Sequence, residues 1–268
     1  RFPFVYVIYI VYKVKLFLFS IAFVLFLGKT HAQLVTGTGL SPLNLVQNVL
    51  LGPGVTVSNI MYNGAPSAIG SFQASGTNLG IEDGILLTTG TVVANSNGPQ
   101  GPNNQGGSGA DNGYGGSGLL SNILNGEPTF NAAILEFDFV PYSDTVAFKY
   151  VFGSEEYPEY APPISSTYND VFGFFISGPG ILGYQNIAQL PNGNGVVSIN
   201  NVNPVTNAQY YIYNGEGNNA PWNGSDQYIQ YDGFTKVLKA VSEVQCGQTY
   251  HLVIAIADVG DGLSLIHI

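Results

Sequence analysis

Cysteine is nearly missing from this 268-residue chain, and Cys246 stands alone. A single thiol forms no intrachain disulfide and matches no zinc or thiol-redox motif, so the expectation for it is a buried, inert side chain. An exported protein without disulfides holds together by a large core or by bound metal ions. Basic residues are also scarce. Arg1, Lys13, Lys15 and Lys29 lie in the N-terminal segment, and from Gln33 onward only Lys149, Lys236 and Lys239 stand against 17 acids, a net charge of −14. No basic patch is present to overcome repulsion of a phosphate backbone, which argues against nucleic acid and favours cations as partners. Histidine is limited to His31, His251 and His267. Only His251 is placed to serve a nucleophile triad, and a lone histidine inside a strand is ordinarily structural. Charged residues make up 9% of the chain, too few for a helical bundle, and beyond one short stripe near residue 45 no helical period is sustained.

The longest apolar run, Leu16 to Leu27, is short for a membrane span. It follows Lys13-Val-Lys15 and precedes Gly-Lys-Thr-His-Ala, the charged, hydrophobic and small-residue parts of a secretory signal cleaved near Ala32. The only methionine is Met61 and the chain starts at Arg1, so residues 1–12 read as upstream sequence. Residues 33–262 then read as one domain, within the size that all-β folds reach without dividing, and no membrane span is expected in it.

What is abundant is Gly (35), Tyr (17) and Phe (16), a composition suited to short strands joined by Gly and Asn turns. Ser41-Pro42, with Leu43, Val46 and Leu50 at helical spacing and Gly52 behind them, predicts a short N-terminal helix. Strands are expected at Val55–Ile60, Gly84–Gly90, Ala133–Val140, Thr145–Phe152, Val171–Ile176, Asn186–Leu190, Val196–Ile199, Tyr210–Tyr213, Tyr228–Tyr231, Phe234–Val244 and Thr249–Ala257. In Ala133–Val140, Leu135, Phe137 and Phe139 face one way and Glu136 and Asp138 the other, and the turn Pro141–Asp144 suggests a hairpin with Thr145–Phe152. Asn95–Gly118 reads by composition as a long flexible loop, with Asp111 a solvated loop acid. The lack of a following lysine and of a strand-to-helix frame argues against phosphate binding there. The fold class expected is all-β, a two-sheet antiparallel β-sandwich of jelly-roll or Greek-key type.

Within this acid-sparse frame, Phe152–Phe175 concentrates Glu155, Glu156, Glu159 and Asp170 between two apolar runs. Calcium takes six to eight oxygens from carboxylates and carbonyls on irregular loops, and Pro158, Pro162 and Pro163 make this segment irregular. The metal ligands expected are Glu155, Glu156 and Asp170, with Asp258 joining from Ala-Asp-Val-Gly-Asp-Gly; Asn169 and Asp261 are further oxygen donors. Solvated acids or turn caps are the plainer reading. A carboxylate pair such as Glu156 with Asp170 or Asp258 also suits glycoside hydrolysis. Trp222 and Tyr213, with Tyr210, Tyr211 and Tyr228 nearby, are candidates to stack on sugar rings, although aromatics are equally at home packing in strands.

The segments LVQNVLLGPGVTVSNIMYNG, SAIGSF, NLGIEDGILLTTG, AAILEFDFVP, FGSEEYPEY, YNDVFGFFISGPG, QYDGFTKVL and CGQTYHLVIAIADVGDG, in this order, resemble the bacterial choice-of-anchor L domain. The resemblance implies a secreted or cell-surface β-sandwich module of adhesin-like proteins, whose anchor varies and is often a type IX secretion sorting domain. It implies no known catalytic activity. Members commonly carry a cysteine after the EEYxEY segment, which would pair with the one before GQTYH; here Ala161-Pro-Pro-Ile-Ser takes its place. The family also continues with another strand after ADVGDG, whereas residues 263–268 read as a truncated tail that leaves the closing strand and any anchor missing. The function expected is a non-enzymatic surface binding or adhesion module stabilised by calcium, taking a surface glycan or protein. The alternatives are a carbohydrate-active hydrolase using Glu156 and Asp170, and a spacer within a large surface protein.

Overall fold

The computed structural model describes residues 33–51, 55–93, 98–107, 109–164, 168–217, 225–260 and 265–267; the signal reading, Trp222 and Asp261 therefore lie outside the described residues. From Gln33 the chain forms one unit. Its strands are β1 (Val35–Gly37), β2 (Thr56–Asn63), β3 (Ile69–Gln73), β4 (Asp83–Thr88), β5 (Phe130–Val140), β6 (Thr145–Tyr150), β7 (Phe152–Ser154), β8 (Val171–Gly178), β9 (Ile181–Asn186), β10 (Val197–Ser198), β11 (Tyr211–Tyr213), β12 (Gly233–Thr235), β13 (Leu238–Glu243), β14 (Tyr250–Asp258) and β15 (Leu265–His267). One sheet runs β1-β3-β4-β15-β7-β12-β11, the other β10-β8-β14-β5-β2 with β9 beside β8, and β6 and β13 form a separate ribbon. Neighbouring strands pair antiparallel in all three. The fold is all-β and consistent with a sandwich.

The core follows from side-chain alternation. On β5, Leu135, Phe137 and Phe139 are buried, while Glu136 and Asp138 keep partial access to water. β14 reads as a continuous apolar run because it is covered on both faces. Leu252, Ile254 and Ile256 join the main core with Phe172, Phe174 and Ile176 of β8, while Val253, Ala255 and Ala257 pack with Phe175 and Leu120 on the other side. Leu120 belongs to α2 (Gly118–Ile123), capped by Ser117, whose Oγ accepts the Leu120 N–H. Gly173 of β8 is required here, since a Cβ would meet the Phe175 ring at 2.4 Å. Burying a Phe or Ile side chain of this kind contributes about 1.5–3 kcal/mol.

Several expectations are corrected. The N-terminal helix, α1, begins as expected with Ser41 as cap and Pro42 at its first position, but Pro42–Asn44 passes into π-helical winding over Leu45–Leu50. The Leu51 N–H reaches back five residues to the Val46 carbonyl. That winding advances less per residue, so Leu45 and Val46 are buried and Leu43 is exposed. β5 and β6 are consecutive yet do not pair: β5 lies between β14 and β2, and β6 pairs β13. β6 ends at Tyr150, and after Val151 the chain passes from the ribbon to the seven-stranded sheet, so Phe152 belongs to β7 and not to the expected longer strand. Tyr228–Tyr231 is not a strand; it holds a single bridge, from Ile229 to Gln100.

That bridge changes the reading of the Gly- and Asn-rich loop. Its described part at 98–107 has no regular structure but is docked: the Gly101 N–H donates to the Tyr228 carbonyl, Asn103 N–H to the Asp226 carbonyl and Gln230 N–H to the Pro99 carbonyl. Cys246 is exposed, not buried, because it falls in the turn closed by the Gln248 N–H to Gln245 carbonyl bond between β13 and β14. The tail is no loose end either. The backbone of β15 inserts between β4 and β7, pairing Ile266 with Thr88 and Leu265 with Ser154. Among the described residues no helix is long and apolar enough to cross a membrane.

Candidate functional site

The acids of the central stretch meet where the two sheets end together. β7 stops at Ser154, whose Oγ accepts the Glu156 N–H at 3.0 Å, and the Tyr160 N–H returns to the Glu156 carbonyl. The backbone therefore turns at once, and Glu155 and Glu156 do not alternate to opposite faces as strand residues would. Both are buried, at 7% and 4% exposure. In the other sheet the register pairs Ala257 with Val171, so one step further sets Asp258 opposite Asp170. Neither has any exposed surface. The Val259 N–H donates to Asp170 Oδ1 at 2.8 Å, and Asn131 Nδ2 donates to Asp258 Oδ2 at 3.1 Å. Asn131 holds a left-handed φ of 48°, a conformation that asparagine tolerates and most side chains do not.

The electrostatics of this spot are unusual. Burial pushes the Asp170 carboxyl well above the usual range, and the charges of Glu156 and Asp258 push it further. Glu156 and Asp258 act on Asp170 as like charges, which disfavours its ionised form. Tyr157, fully buried beside them, is raised by burial, then by Tyr211, Asp170 and Glu156, and its hydroxyl donates to the Val202 carbonyl at 2.5 Å. Among the described residues no basic side chain compensates these acids, because Lys149, Lys236 and Lys239 are all exposed and His251 is committed elsewhere. Glu155 is turned differently, its Oε1 accepting Gln230 Nε2 at 3.1 Å. The four expected residues thus gather at one end of the sandwich, with Glu156 and Asp258 close enough to raise Asp170 through their charges. Among the described residues, no three His, Cys, Asp or Glu side chains converge in an arrangement able to hold a metal ion.

Glu159 and Asp111 are not part of this group. Glu159 is exposed, its carboxyl raised by partial burial and then by Glu216, and Asp111 accepts the Gly113 N–H in an exposed turn. Asn169 caps the backbone instead, its Oδ1 accepting the Asn200 N–H. His251 stands on the far face of β14, with Nδ1 2.7 Å from Asp138 Oδ1 and Nε2 3.3 Å from Glu136 Oε2. Tyr213 is exposed, and its hydroxyl donates to Glu216. Sequence reasoning missed Asp232, which is buried and pushed up to about 7, first by burial and then by Glu159 and Glu216, against the Asn103 hydrogen bond that lowers it. Its sequence signal is an acid set between Tyr231 and Gly-Phe in an otherwise apolar stretch. Gln230 and Asn103 were missed as well, having no sequence signal beyond their amide chemistry. A cavity of about 370 Å3 lined by Leu50, Phe72, Ile85, Phe148, Tyr150 and Phe174 touches none of the four carboxylates.

No curated protein matches the chain, and no solved structure matches it. Residues 34–265 match the choice-of-anchor L domain. That span holds every strand up to the start of β15 and all four expected carboxylates, and such domains belong to bacterial surface or secreted proteins, so the chain belongs to the choice-of-anchor L domain family.

Proposed function

We propose that this chain is a non-enzymatic binding or adhesion module of a bacterial surface or secreted protein, and that calcium held by Glu155, Glu156, Asp170 and Asp258 fixes the shape of its Glu155–Ala161 turn. The observation that carries the metal is the burial of four carboxylates at one end of the sandwich with, among the described residues, no buried lysine or arginine beside them. Such a group is costly to ionise without a counter-charge. Calcium supplies that charge and completes its shell with carbonyl and amide oxygens; since the four side chains do not already converge on one point, binding would draw them together. Export by the segment before Gln33, and anchoring by a type IX sorting domain, belong to the same proposal.

A hydrolase using Glu156 and Asp170 fits this geometry poorly. Glycosidases open their two carboxyls, about 5–9.5 Å apart, to a sugar and a water, whereas Glu156 and Asp170 are buried at 4% and 0% exposure. The test of the metal is calorimetric titration with calcium and thermal melting in calcium against chelator. Heat of binding and a raised Tm in calcium are expected; no heat and coincident melts would remove calcium from the proposal.

A further inference from the structure

The surface next to the buried acids carries features that the metal does not use. β11 is the outermost strand of its sheet, and Tyr213 on it is 51% exposed, its hydroxyl donating to Glu216 Oε1 at 3.1 Å. The Glu155–Ala161 turn lies against this strand, with the Tyr157 ring 5.0 Å from that of Tyr211. Tyr160, 45% exposed, follows Glu159 in that turn, and its ring stands edge-on to Tyr168 at 4.9 Å. Glu159 and Glu216 are close enough to act on one another and on Asp232, Tyr211 and Tyr213. The patch is built on rigid supports. Asn103 Nδ2 donates to Asp232 Oδ1 at 2.7 Å and to the Asn214 carbonyl, and Gln230 Nε2 joins Asn103 Oδ1 to Glu155.

We propose that this patch is a carbohydrate-binding platform selective for neutral sugars, with Tyr213 and Tyr160 as stacking rings and Glu216 and Glu159 as hydroxyl acceptors. The proposal rests on the surface-binding reading above and names its ligand class. Tyrosine rings offer broad apolar faces with little conformational entropy to lose, which suits the C–H face of a pyranose. Carboxylates accept strong, charge-assisted hydrogen bonds from paired hydroxyls. A protein partner fits less well, since the cores of protein interfaces are depleted in Glu and Asp. A uronic or sialic polymer would meet acids in the patch and a surface with a net charge of −14 beyond Gln33.

The test is affinity electrophoresis and calorimetry of the full chain on mannan, dextran, β-glucan and xylan, with alginate and polygalacturonate as anionic comparisons. At least one neutral polysaccharide should bind, at least tenfold more weakly in Tyr213→Ala and in Glu216→Gln, both at exposed positions, and unchanged in Tyr184→Ala on the other sheet. Folding of each variant is checked by its melt. Silence on every neutral polymer, tighter binding of the anionic ones, or full binding in both patch variants would overturn the platform. Silence with a calcium-dependent melt intact would overturn this inference alone. Neutral-sugar binding lost in both patch variants, without any calcium effect, would uphold it and remove only the metal.

Discussion

Glu136 and Asp138 stand on the outer face of β5 with the His251 imidazole between them, and Asn59 Nδ2 donates to Asp138 Oδ2 at 2.6 Å. Water reaches this group, where all three side chains keep 20–29% exposure. At the end of the sandwich, Glu156, Asp170 and Asp258 are buried, Asp170 against a backbone N–H and Asp258 against an amide, and among the described residues no lysine or arginine is buried with them. Both clusters are acids flanked by apolar residues, and the chemistry of their surroundings separates them. Burial pushes Asp138 up, but the hydrogen bonds from His251 and Asn59 outweigh it, and its carboxyl ends below the usual range. For Asp170 the direction is reversed, because desolvation and like charge act together. An acid becomes a candidate ligand by where it is buried and what faces it.

The sharpest way to break the comparison is Asp170→Asn. With calcium at about a hundred times its Kd, binding stabilises the folded state by about 2.7 kcal/mol, roughly 5–10 °C in Tm for a domain of this size. The variant should lose most of that gain. In chelator it should be no less stable than the parent, since it removes a buried like charge. Equal destabilisation in both conditions would make Asp170 a purely structural group and the two clusters alike. Gln230→Ala should cost about 1–3 kcal/mol with or without calcium, because Glu155 and Asn103 each lose a buried partner. Hydrogen exchange should quicken at Gly101 and Asn103, whose N–H groups dock the loop; unchanged exchange would dissociate the loop from the acid cluster.

The pH dependence should run oppositely with and without metal. Asp170 is raised by burial, and Asp232 to about 7. A raised folded-state pKa means that the folded chain binds more protons than the unfolded one, so stability in chelator should rise as pH falls from about 7 toward 4. Calcium requires the ionised forms, so the calcium-induced gain in Tm should grow from pH 5 to pH 8. Parallel pH curves would count against a metal at these carboxylates. Thermal melts across that range read both trends.

Much of this was legible in the sequence, and the misses have physical causes. The alternation of β5 and the continuous run of β14 identify strands because side-chain period and two-sided burial are written locally. Pairing is not: β5 takes β2 and β14 as neighbours across distant sequence, so the short Pro141–Asp144 turn misled. The 98–107 loop looked flexible because its residues bury little apolar area, yet Asn103 and Gln230 dock it through amide hydrogen bonds that composition does not reveal. The acids of Phe152–Phe175 were legible as a group. Their burial together was not, because it depends on the Ser154 turn and on the register that sets Asp258 opposite Asp170.

The smallest expected effect is at the outer cluster, and it completes the comparison. Asp138→Asn removes the shorter of the two His251 contacts and keeps a side chain of the same shape beside Asn59. Solvent-accessible ion pairs contribute about 0.2–1 kcal/mol, so the variant should lower Tm by no more than about 1–4 °C near pH 6. That difference should shrink toward zero at about 1 M salt, where the Debye length falls to about 3 Å. The calcium-induced gain in Tm should equal that of the parent, since Asp138 lies on the face of β5 away from the buried acids. Melts of the two proteins at low and high salt, each with calcium and with chelator, measure all of this together. A loss of the calcium gain in Asp138→Asn would place the cation on the outer cluster and reverse the assignment of the two sites.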